Sequence, residues 1–239
     1  MIEHIEQGTL PAHVKACIAL TSWKKRINTV GLTIYNLFTM CGPEFHIVLT
    51  LAEEEFPKKE QELPRDLLLM NKAGVFEILW VKKNWRSFKK WIFCGLKYRN
   101  VPIISADDDC IYKCNYADKL FNVWKTHKRA IITNDGMNYS HGKIQWGRGP
   151  NTLYPPAFIS ELLSMATLPA VQFLTELHFM EDDALYGCLA KHLKIQIIDL
   201  GEPSFYIFHS QIEPLSAISA NTNFEKITQI YETIIGMLK

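Results

Sequence analysis

The chain has 239 residues, of which 48% are hydrophobic and 21% are charged. These proportions are typical of a globular protein and exclude a disordered or low-complexity chain. Lys and Arg total 26 against 25 Asp and Glu, which gives a net charge of +1 and no basic excess for tracking nucleic-acid phosphates. We therefore expect no nucleic-acid partner. The length of the chain suits one large domain or two small ones.

Six cysteines are scattered along the chain without a CxxC pair, so neither a disulfide scaffold nor a zinc site of common spacing is expected. The N-terminus lacks the features of a signal peptide, and no apolar run approaches the ~18 residues of a membrane helix. These features predict a soluble, cytoplasmic protein with reduced and mostly buried thiols.

Apolar, β-rich runs alternate with amphipathic segments over the first half of the chain. The predicted strands are Val14–Leu20, Phe45–Leu51, Val75–Val81, Val101–Ala106 and Ala130–Thr133. Asn28 is a suitable N-cap for a helix after the first strand, Ser87 is one for a helix after the third, and Tyr116–Thr126 is predicted as a further helix. The alternation predicts an α/β fold, with a mostly parallel central sheet flanked by helices in a single domain.

The second half of the chain has a less regular pattern. Asn134–Pro156 is rich in Gly and Pro and is predicted as a long loop, which in a compact domain usually serves function. Helices are predicted at Glu181–His192 and Asn223–Leu238, with a strand at Ile195–Leu200 between them.

Three consecutive carboxylates, Asp107, Asp108 and Asp109, directly follow the predicted strand Val101–Ala106. They repel one another unless a cation or a basic group neutralises them. At the carboxyl end of a parallel strand they would lie where α/β sheets bind ligands, and carboxylates combined with substrate phosphates suit Mg²⁺ or Mn²⁺. The alternative without a ligand is a solvated acidic turn in which Asp109 caps a helix.

Basic residues follow two other strands of the predicted sheet. They are Lys24–Arg26 after the first strand, and Arg86, Lys89 and Lys90 after the third. In a parallel sheet both clusters would share the edge that carries the three carboxylates, where they could contact a diphosphate. Taken singly, each of these residues is better explained as part of a solvated helix start.

A second acidic cluster, Glu181–Asp183, opens a predicted helix. Carboxylates at that position stabilise the helix dipole, which explains them without any function. The functional alternative is a general base for an incoming hydroxyl. His209 alone indicates a hydrogen-bonded core histidine, but beside a divalent ion it becomes a candidate third ligand.

Taken in order, these segments resemble GT-A fold, nucleotide-sugar-dependent glycosyltransferases, especially bacterial enzymes that build surface polysaccharide or lipo-oligosaccharide. Leu20–Ile27 is similar to the nucleotide-contacting loop of that family, and Asn84–Lys90 to its Asn-x-x-Ser-Tyr-Lys-Lys segment, with Phe in place of Tyr. Ile104–Asp109 resembles the family's DxD motif, and Gly147–Pro156 resembles its glycine loop. Glu181–Asp183 resembles its xED motif, and His209 resembles its C-terminal metal-binding His. The resemblance implies a Rossmann-like GT-A domain, with a nucleotide-binding half at about 14–133 and an acceptor-binding half at about 134–239.

The resemblance also implies a metal and donor site. Asp107 and Asp109, with His209, would bind Mn²⁺ or Mg²⁺, and Asp108 would lie near the ribose or the donor sugar. The other residues expected to contact the nucleotide or the donor are Thr21, Ser22, Arg26, Lys89 and Lys90.

The catalytic base implied by the resemblance is Asp183 or Asp182, because the acidic cluster fits the family's motif in two registers. A base at this position implies inversion at the anomeric carbon. The implied partners are a nucleotide-sugar donor, with UDP-sugar favoured, and a hydroxyl of a glycan or glycolipid acceptor. Peripheral association with the inner face of the membrane stays open.

Two other functions remain as alternatives. A sugar nucleotidyltransferase could share the sheet and the metal site, but it usually has a Gly- and basic-rich loop after the first strand, and Leu20–Arg26 contains no Gly. A non-catalytic carbohydrate- or nucleotide-binding module with a structural cation would have no need of Glu181–Asp183. P-loop, GxGxxG, GxSxG and HExxH motifs are absent from the sequence, which removes the enzyme classes that they mark.

Overall fold

Seven strands form one mixed sheet in a computed structural model that describes residues 3–139, 144–147, 149–164, 182–202 and 205–206. The strands of the described residues are β1 (Ala16–Thr21), β2 (Phe45–Ala52), β3 (Glu77–Val81), β4 (Ile103–Ser105), β5 (Cys110–Ile111), β6 (Ile131–Thr133), β7 (Gly136–Tyr139), β8 (Ile144–Gly147), β9 (Thr152–Tyr154), β10 (Ile197–Asp199) and β11 (Phe205–Tyr206). The helices are α1 (Val30–Cys41), α2 (Arg65–Lys72), α3 (Lys89–Lys97), α4 (Tyr116–Thr126), α5 (Pro156–Leu162) and α6 (Asp182–His192).

The strand order in the sheet is β10-β6-β9-β4-β1-β2-β3. Neighbouring strands are parallel except at β9, which is antiparallel to both β4 and β6. The predicted α/β fold with a mostly parallel sheet is therefore confirmed. The division into a nucleotide-binding half and an acceptor-binding half stays a prediction.

Helices cover both faces of the sheet because each presents one apolar stripe to it. On one face, α1, α2 and α4 contribute Ile34, Leu67 and Leu120 to one buried cluster. On the other face, α3, α5 and α6 contribute to a second cluster, in which Ile92 and Leu185 are fully or almost fully buried. None of the helices in the described part of the chain has the length and apolar character needed to cross a bilayer.

Two predicted helix caps are wrong. The N-cap of α1 is Thr29 rather than Asn28, and no side chain caps that helix. A 3₁₀ turn at Arg86–Phe88 precedes α3, which begins at Lys89, so Ser87 lies inside the turn instead of capping the helix. In both places the helix N-terminus is held by packing, since Val30 and Phe88 are fully buried.

The predicted long loop Asn134–Pro156 is also wrong in part. It contains β7 and β8, which pair with each other, and β9, which lies between β4 and β6 in the sheet. Thr152–Tyr154 lies between Pro150 and Pro155 in a Gly- and Pro-rich segment, so the signals of a loop outweigh those of a strand, and β9 is held by its two neighbours in the sheet. The predicted helix Asn223–Leu238 lies outside the described residues.

A partly buried carboxylate holds the edge of the sheet opposite the carboxyl ends of its parallel strands. Glu77, the first residue of β3, accepts hydrogen bonds from Tyr98 Oη at 2.5 Å, Lys97 Nζ at 2.6 Å and His46 Nε2 at 2.8 Å. Burial alone would raise the pKa of Glu77, but the bonds from His46, Lys97 and Tyr98 lower it to about 2. This cluster joins the start of β2 and β3 to the end of α3.

We predict that Glu77→Gln lowers the free energy of unfolding at pH 7 by on the order of 3 kcal/mol. Because the pKa of Glu77 is depressed in the folded state, its contribution is present above the ordinary pKa of 4.5 and is lost as the pH falls towards about 2. Denaturant titrations should therefore give clearly different free energies of unfolding for wild type and variant at pH 7, and a smaller difference at pH 3. Glu6→Gln, at an exposed position, is the control; an equal gap at both pH values would contradict the prediction.

Candidate active site

The site lies where the strand order of the sheet reverses. β1 has β2 on one side and β4 on the other, and all three strands are parallel. Such a reversal opens a crevice at the carboxyl ends of the strands, where α/β sheets bind ligands. Ser22 follows β1 there, and Asp107 follows β4 after Ala106, whose amide donates to the Ala19 carbonyl of β1. The segments after β1 and β4 therefore lie side by side at this edge, as the sequence predicts.

Asp108 points into the protein and is only 2% exposed. Its carboxylate accepts a hydrogen bond from Ser22 Oγ at 2.5 Å and forms an ion pair with Arg26 Nη2 at 2.9 Å. Burial raises the pKa of Asp108 to about 6, and Arg26 and Ser22 keep it from rising further. The side chain therefore ties the segment after β1 to the segment after β4, and its oxygens are not directed at a ligand.

Arg26 neutralises two of the three carboxylates at once. Its Nη1 lies 2.7 Å from Asp109 Oδ2, while its Nη2 is held by Asp108. Burial and the neighbouring Asp107 raise the pKa of Asp109, and Arg26 opposes that rise. The guanidinium thus serves as the internal counter-ion of the acidic triplet, in the bidentate manner that suits Arg.

Lys90, on α3, connects the two acidic clusters. Its Nζ lies 2.9 Å from Asp107 Oδ1 and 3.4 Å from Asp182 Oδ2. Burial alone would lower the pKa of Lys90, but Asp107, Asp182 and Asp183 together raise it well above its ordinary value. The first turn of α6 therefore meets the acidic triplet across a single buried ammonium group.

The two carboxylates at the start of α6 lie in different surroundings. Asp182 is buried, and its Oδ2 accepts a bond from Trp91 Nε1 at 3.3 Å in addition to the contact with Lys90. Trp91 itself is stacked on Tyr154, with ring centroids 4.8 Å apart. Asp183 is less buried than Asp182 and acts electrostatically on Lys90 and Tyr154. Both side chains therefore start the helix that Lys90 links to the acidic triplet, and Asp182 is the more buried of the two.

Two of the predicted donor-binding side chains are engaged within the protein. Lys89 is buried and lies 2.9 Å from Asn84 Oδ1 and 3.4 Å from Glu55 Oε2. Burial lowers its pKa, which Glu55 partly offsets. Thr21 Oγ1 donates to the carbonyl of Thr50 on β2 at 2.7 Å. Lys89 thus organises the turn before α3, whereas Lys90 reaches the acidic triplet.

Sequence reasoning missed two residues that shape the acidic turn. Thr33 Oγ1, on α1, is within hydrogen-bond distance of the carbonyls of Asp108 and Cys110. Tyr112 Oη accepts from the Asp107 amide at 2.8 Å and lies 3.3 Å from the Asp107 carbonyl. The available signal for Thr33 was a polar residue on the otherwise apolar buried stripe of α1. Tyr112 gave no such signal.

The donor set at the triplet suits a hard divalent cation. Asp107, Asp109 and Cys110 can each bring one ligand atom within 4.8 Å of the others. Burial and the nearby carboxylates raise the pKa of the Cys110 thiol far above its ordinary value, and sulfur is a soft ligand that hard cations such as Mg²⁺ do not favour. The two carboxylate oxygens that remain are of the kind that Mg²⁺ and Mn²⁺ prefer.

Of the predicted site residues, His209 lies outside the described residues, as does Glu181 of the second acidic cluster. However, β11 pairs with β5 so that Tyr206 lies opposite Cys110. The chain is therefore next to the acidic triplet three residues before His209.

No protein family and no curated protein matches the sequence. Among solved structures, the chain is similar to a crystal structure of S. aureus TarS 1-349, with a TM-score of 0.51, 10% identity, and coverage of 93% of this chain and 70% of that one. A second S. aureus TarS structure matches with a TM-score of 0.47 and 11% identity, covering 94% of this chain and 43% of that one. TarS is a glycosyltransferase, and at 10% identity the likeness shows that this chain shares the fold and nothing about its activity.

We predict that Arg26→Met lowers the free energy of unfolding by roughly 3 kcal/mol, because Asp108 and Asp109 lose their buried counter-ion. The loss should be larger at pH 8 than at pH 5, since protonation relieves carboxylates that have no cation beside them. Denaturant titrations at the two pH values measure it. Arg129→Met removes an exposed guanidinium and serves as the control; equal losses in the two variants would contradict the role given to Arg26.

Proposed function

We propose that the chain is a metal-dependent glycosyltransferase of the GT-A type. It would move a sugar from a nucleotide-diphosphate donor, with UDP-sugar favoured, to a hydroxyl of a glycan or glycolipid in bacterial surface-polysaccharide synthesis, at the cytoplasmic face of the membrane. One observation carries the proposal: the acidic residues 107–109 and 182–183 meet across Lys90 at the reversal of strand order, in a glycosyltransferase-like fold.

Asp107 and Asp109 are the proposed ligands of Mn²⁺ or Mg²⁺. Asp107 is the most exposed carboxylate of the triplet, with 30% of its side chain accessible. His209 is the proposed third ligand, because three residues can span only about 10 Å beyond Tyr206, which faces Cys110. When bound, the cation supplies positive charge that offsets the charge developing on the leaving diphosphate.

The segment after β1 is the proposed nucleotide-binding loop. Ser22 and Arg26 are held by Asp108, so this loop keeps one conformation before the donor arrives. We assign Asp108 to positioning this loop, and not to the ribose contact that the family resemblance implies. Thr21 borders the same crevice, and Lys90 places positive charge beside Asp107.

Asp183 is the proposed general base, in preference to Asp182. The carboxylate of Asp182 is already bonded to Trp91 and lies beside Lys90, whereas Asp183 is less buried. The acceptor hydroxyl would give its proton to Asp183 as its oxygen forms a bond to the anomeric carbon. The bond from that carbon to the diphosphate breaks at the same time, and the nucleoside diphosphate leaves. This single displacement inverts the anomeric configuration.

A panel of nucleotide sugars, incubated with the protein with and without Mn²⁺, tests the reaction class. We expect Mn²⁺-dependent release of a nucleoside diphosphate from one member of the panel, with UDP-sugars foremost. Release that is independent of metal across the panel would contradict the proposal. Formation of pyrophosphate from a nucleoside triphosphate and a sugar phosphate would identify a nucleotidyltransferase instead.

We predict that Asp183→Asn lowers the transfer rate by about 10³-fold, the typical contribution of a general base, while UDP binding changes little. Asp66→Asn is the matched control, because Asp66 also lies in the first turn of a helix but is exposed on α2. Rates with the preferred donor and UDP affinity by calorimetry give the two readouts. Full transfer activity in Asp183→Asn, or a product with retained anomeric configuration by NMR, would rule out this assignment.

A further inference from the structure

Helix α1 carries no charged residue in its twelve positions, VGLTIYNLFTMC. Its buried stripe includes Val30, Ile34 and Leu37, yet large apolar side chains also occupy its outward side. Leu32 is 65% exposed, and Tyr35 is 62% exposed. An exposed helix face normally carries charged and polar side chains, so this face is unusual for a helix that only meets water.

Helix α2 extends the same apolar surface. A Cβ atom at Gly31 would lie 3.3 Å from Met70 Cε and 3.4 Å from Asp66 Oδ2, so the two helices approach each other closely at that glycine. Leu69 of α2 is 57% exposed, and Phe38 of α1 is 41% exposed. We call the patch formed by Leu32, Tyr35, Phe38 and Leu69 the α1–α2 surface. On α1, Leu32, Tyr35 and Phe38 are spaced three residues apart and therefore share one side of the helix, and exposed apolar groups on a common face mark interaction sites.

Basic residues flank the α1–α2 surface. Arg65 lies four residues before Leu69, and Lys72 lies three residues after it. Both are exposed and lie on the same side of α2 as Leu69. Lys24 and Lys25 are exposed in the segment that leads into α1. The acidic side chains nearby are fewer: Glu62 pairs with Lys24 at 2.8 Å, and Asp66 is exposed on α2. The balance of charge at the edge of the patch is positive.

We infer that the α1–α2 surface docks on an anionic lipid bilayer. An apolar and aromatic centre with Lys and Arg around it matches the acyl and headgroup layers of such a membrane. A two-fold contact with a second copy of this chain would instead bring the same basic rims together. The inference deepens the proposed function and rests on it for its purpose, because α1 begins beside Arg26 and the acidic triplet and would hold the site near a lipid-linked hydroxyl.

Co-sedimentation with vesicles tests the inference. We expect the wild-type protein to sediment with vesicles of equal parts phosphatidylcholine and phosphatidylglycerol, and only weakly with phosphatidylcholine alone. The double variant Leu32→Ser/Tyr35→Ser should lower the partition coefficient by about tenfold or more through loss of apolar contact. Lys25→Glu should lower it by at least about fivefold, with the remaining binding more sensitive to salt.

Arg99→Glu and Lys194→Glu are the matched charge controls. Both residues are exposed and precede β4 and β10, at the edge of the sheet opposite the site. They change the net charge as much as Lys25→Glu does, and they should leave vesicle binding within about twofold of wild type because they lie at the other edge of the sheet from Lys24 and Lys25.

Three outcomes would overturn the inference. Wild-type protein that fails to sediment with the anionic vesicles is the first. The second is equal loss of binding in the controls and in Lys25→Glu. The third is a double variant that loses concentration-dependent self-association but keeps vesicle binding, since that identifies an interface between copies. Calorimetry with UDP on the same preparations separates the two claims, because membrane binding and nucleotide binding can each fail alone.

Discussion

Three adjacent carboxylates at the end of a buried strand repel one another, and the fold around β4 is arranged to neutralise them. Arg26 reaches Asp108 and Asp109 from the segment that leads into α1, on one face of the sheet. Lys90 reaches Asp107 from α3, on the other face. A buried charge that loses its partner costs several kcal/mol, so these ion pairs act together with the packing of Val30 and Phe88 to hold the starts of α1 and α3 beside β4.

The same neutralisation prepares the site for a charged donor. Each internal cation already contacts a carboxylate oxygen, and Asp107 keeps 30% of its side chain accessible. Lys90 extends the network to Asp182 at the start of α6, where Asp183 is the less buried of the two carboxylates. Donor binding and acceptor activation would thus share one buried ammonium group. The α1–α2 surface lies beside this edge, so membrane docking and transfer can operate together.

Strong local patterns made much of the fold predictable. β1, β2 and α4 were found from apolar runs and helical periodicity, and the acidic triplet from its position after a buried strand. β9 could not be found, because it lies between two prolines in a Gly- and Pro-rich segment and is held by its neighbours in the sheet. The sequence placed Lys90 at the same edge as the acidic triplet, but its contact with both Asp107 and Asp182 could not be predicted, since these partners lie 17 and 92 positions further along the chain and only tertiary packing brings them together.

The central claim is that the acidic triplet binds a divalent cation together with a nucleotide diphosphate. Calorimetry with UDP, in the presence and absence of Mn²⁺, tests it most directly. The account predicts that Mn²⁺ strengthens UDP binding at least tenfold, or about 1.4 kcal/mol, and that Asp107→Asn abolishes this coupling while the protein stays folded. UDP affinity that is the same with and without Mn²⁺, or coupling that survives in Asp107→Asn, would contradict it.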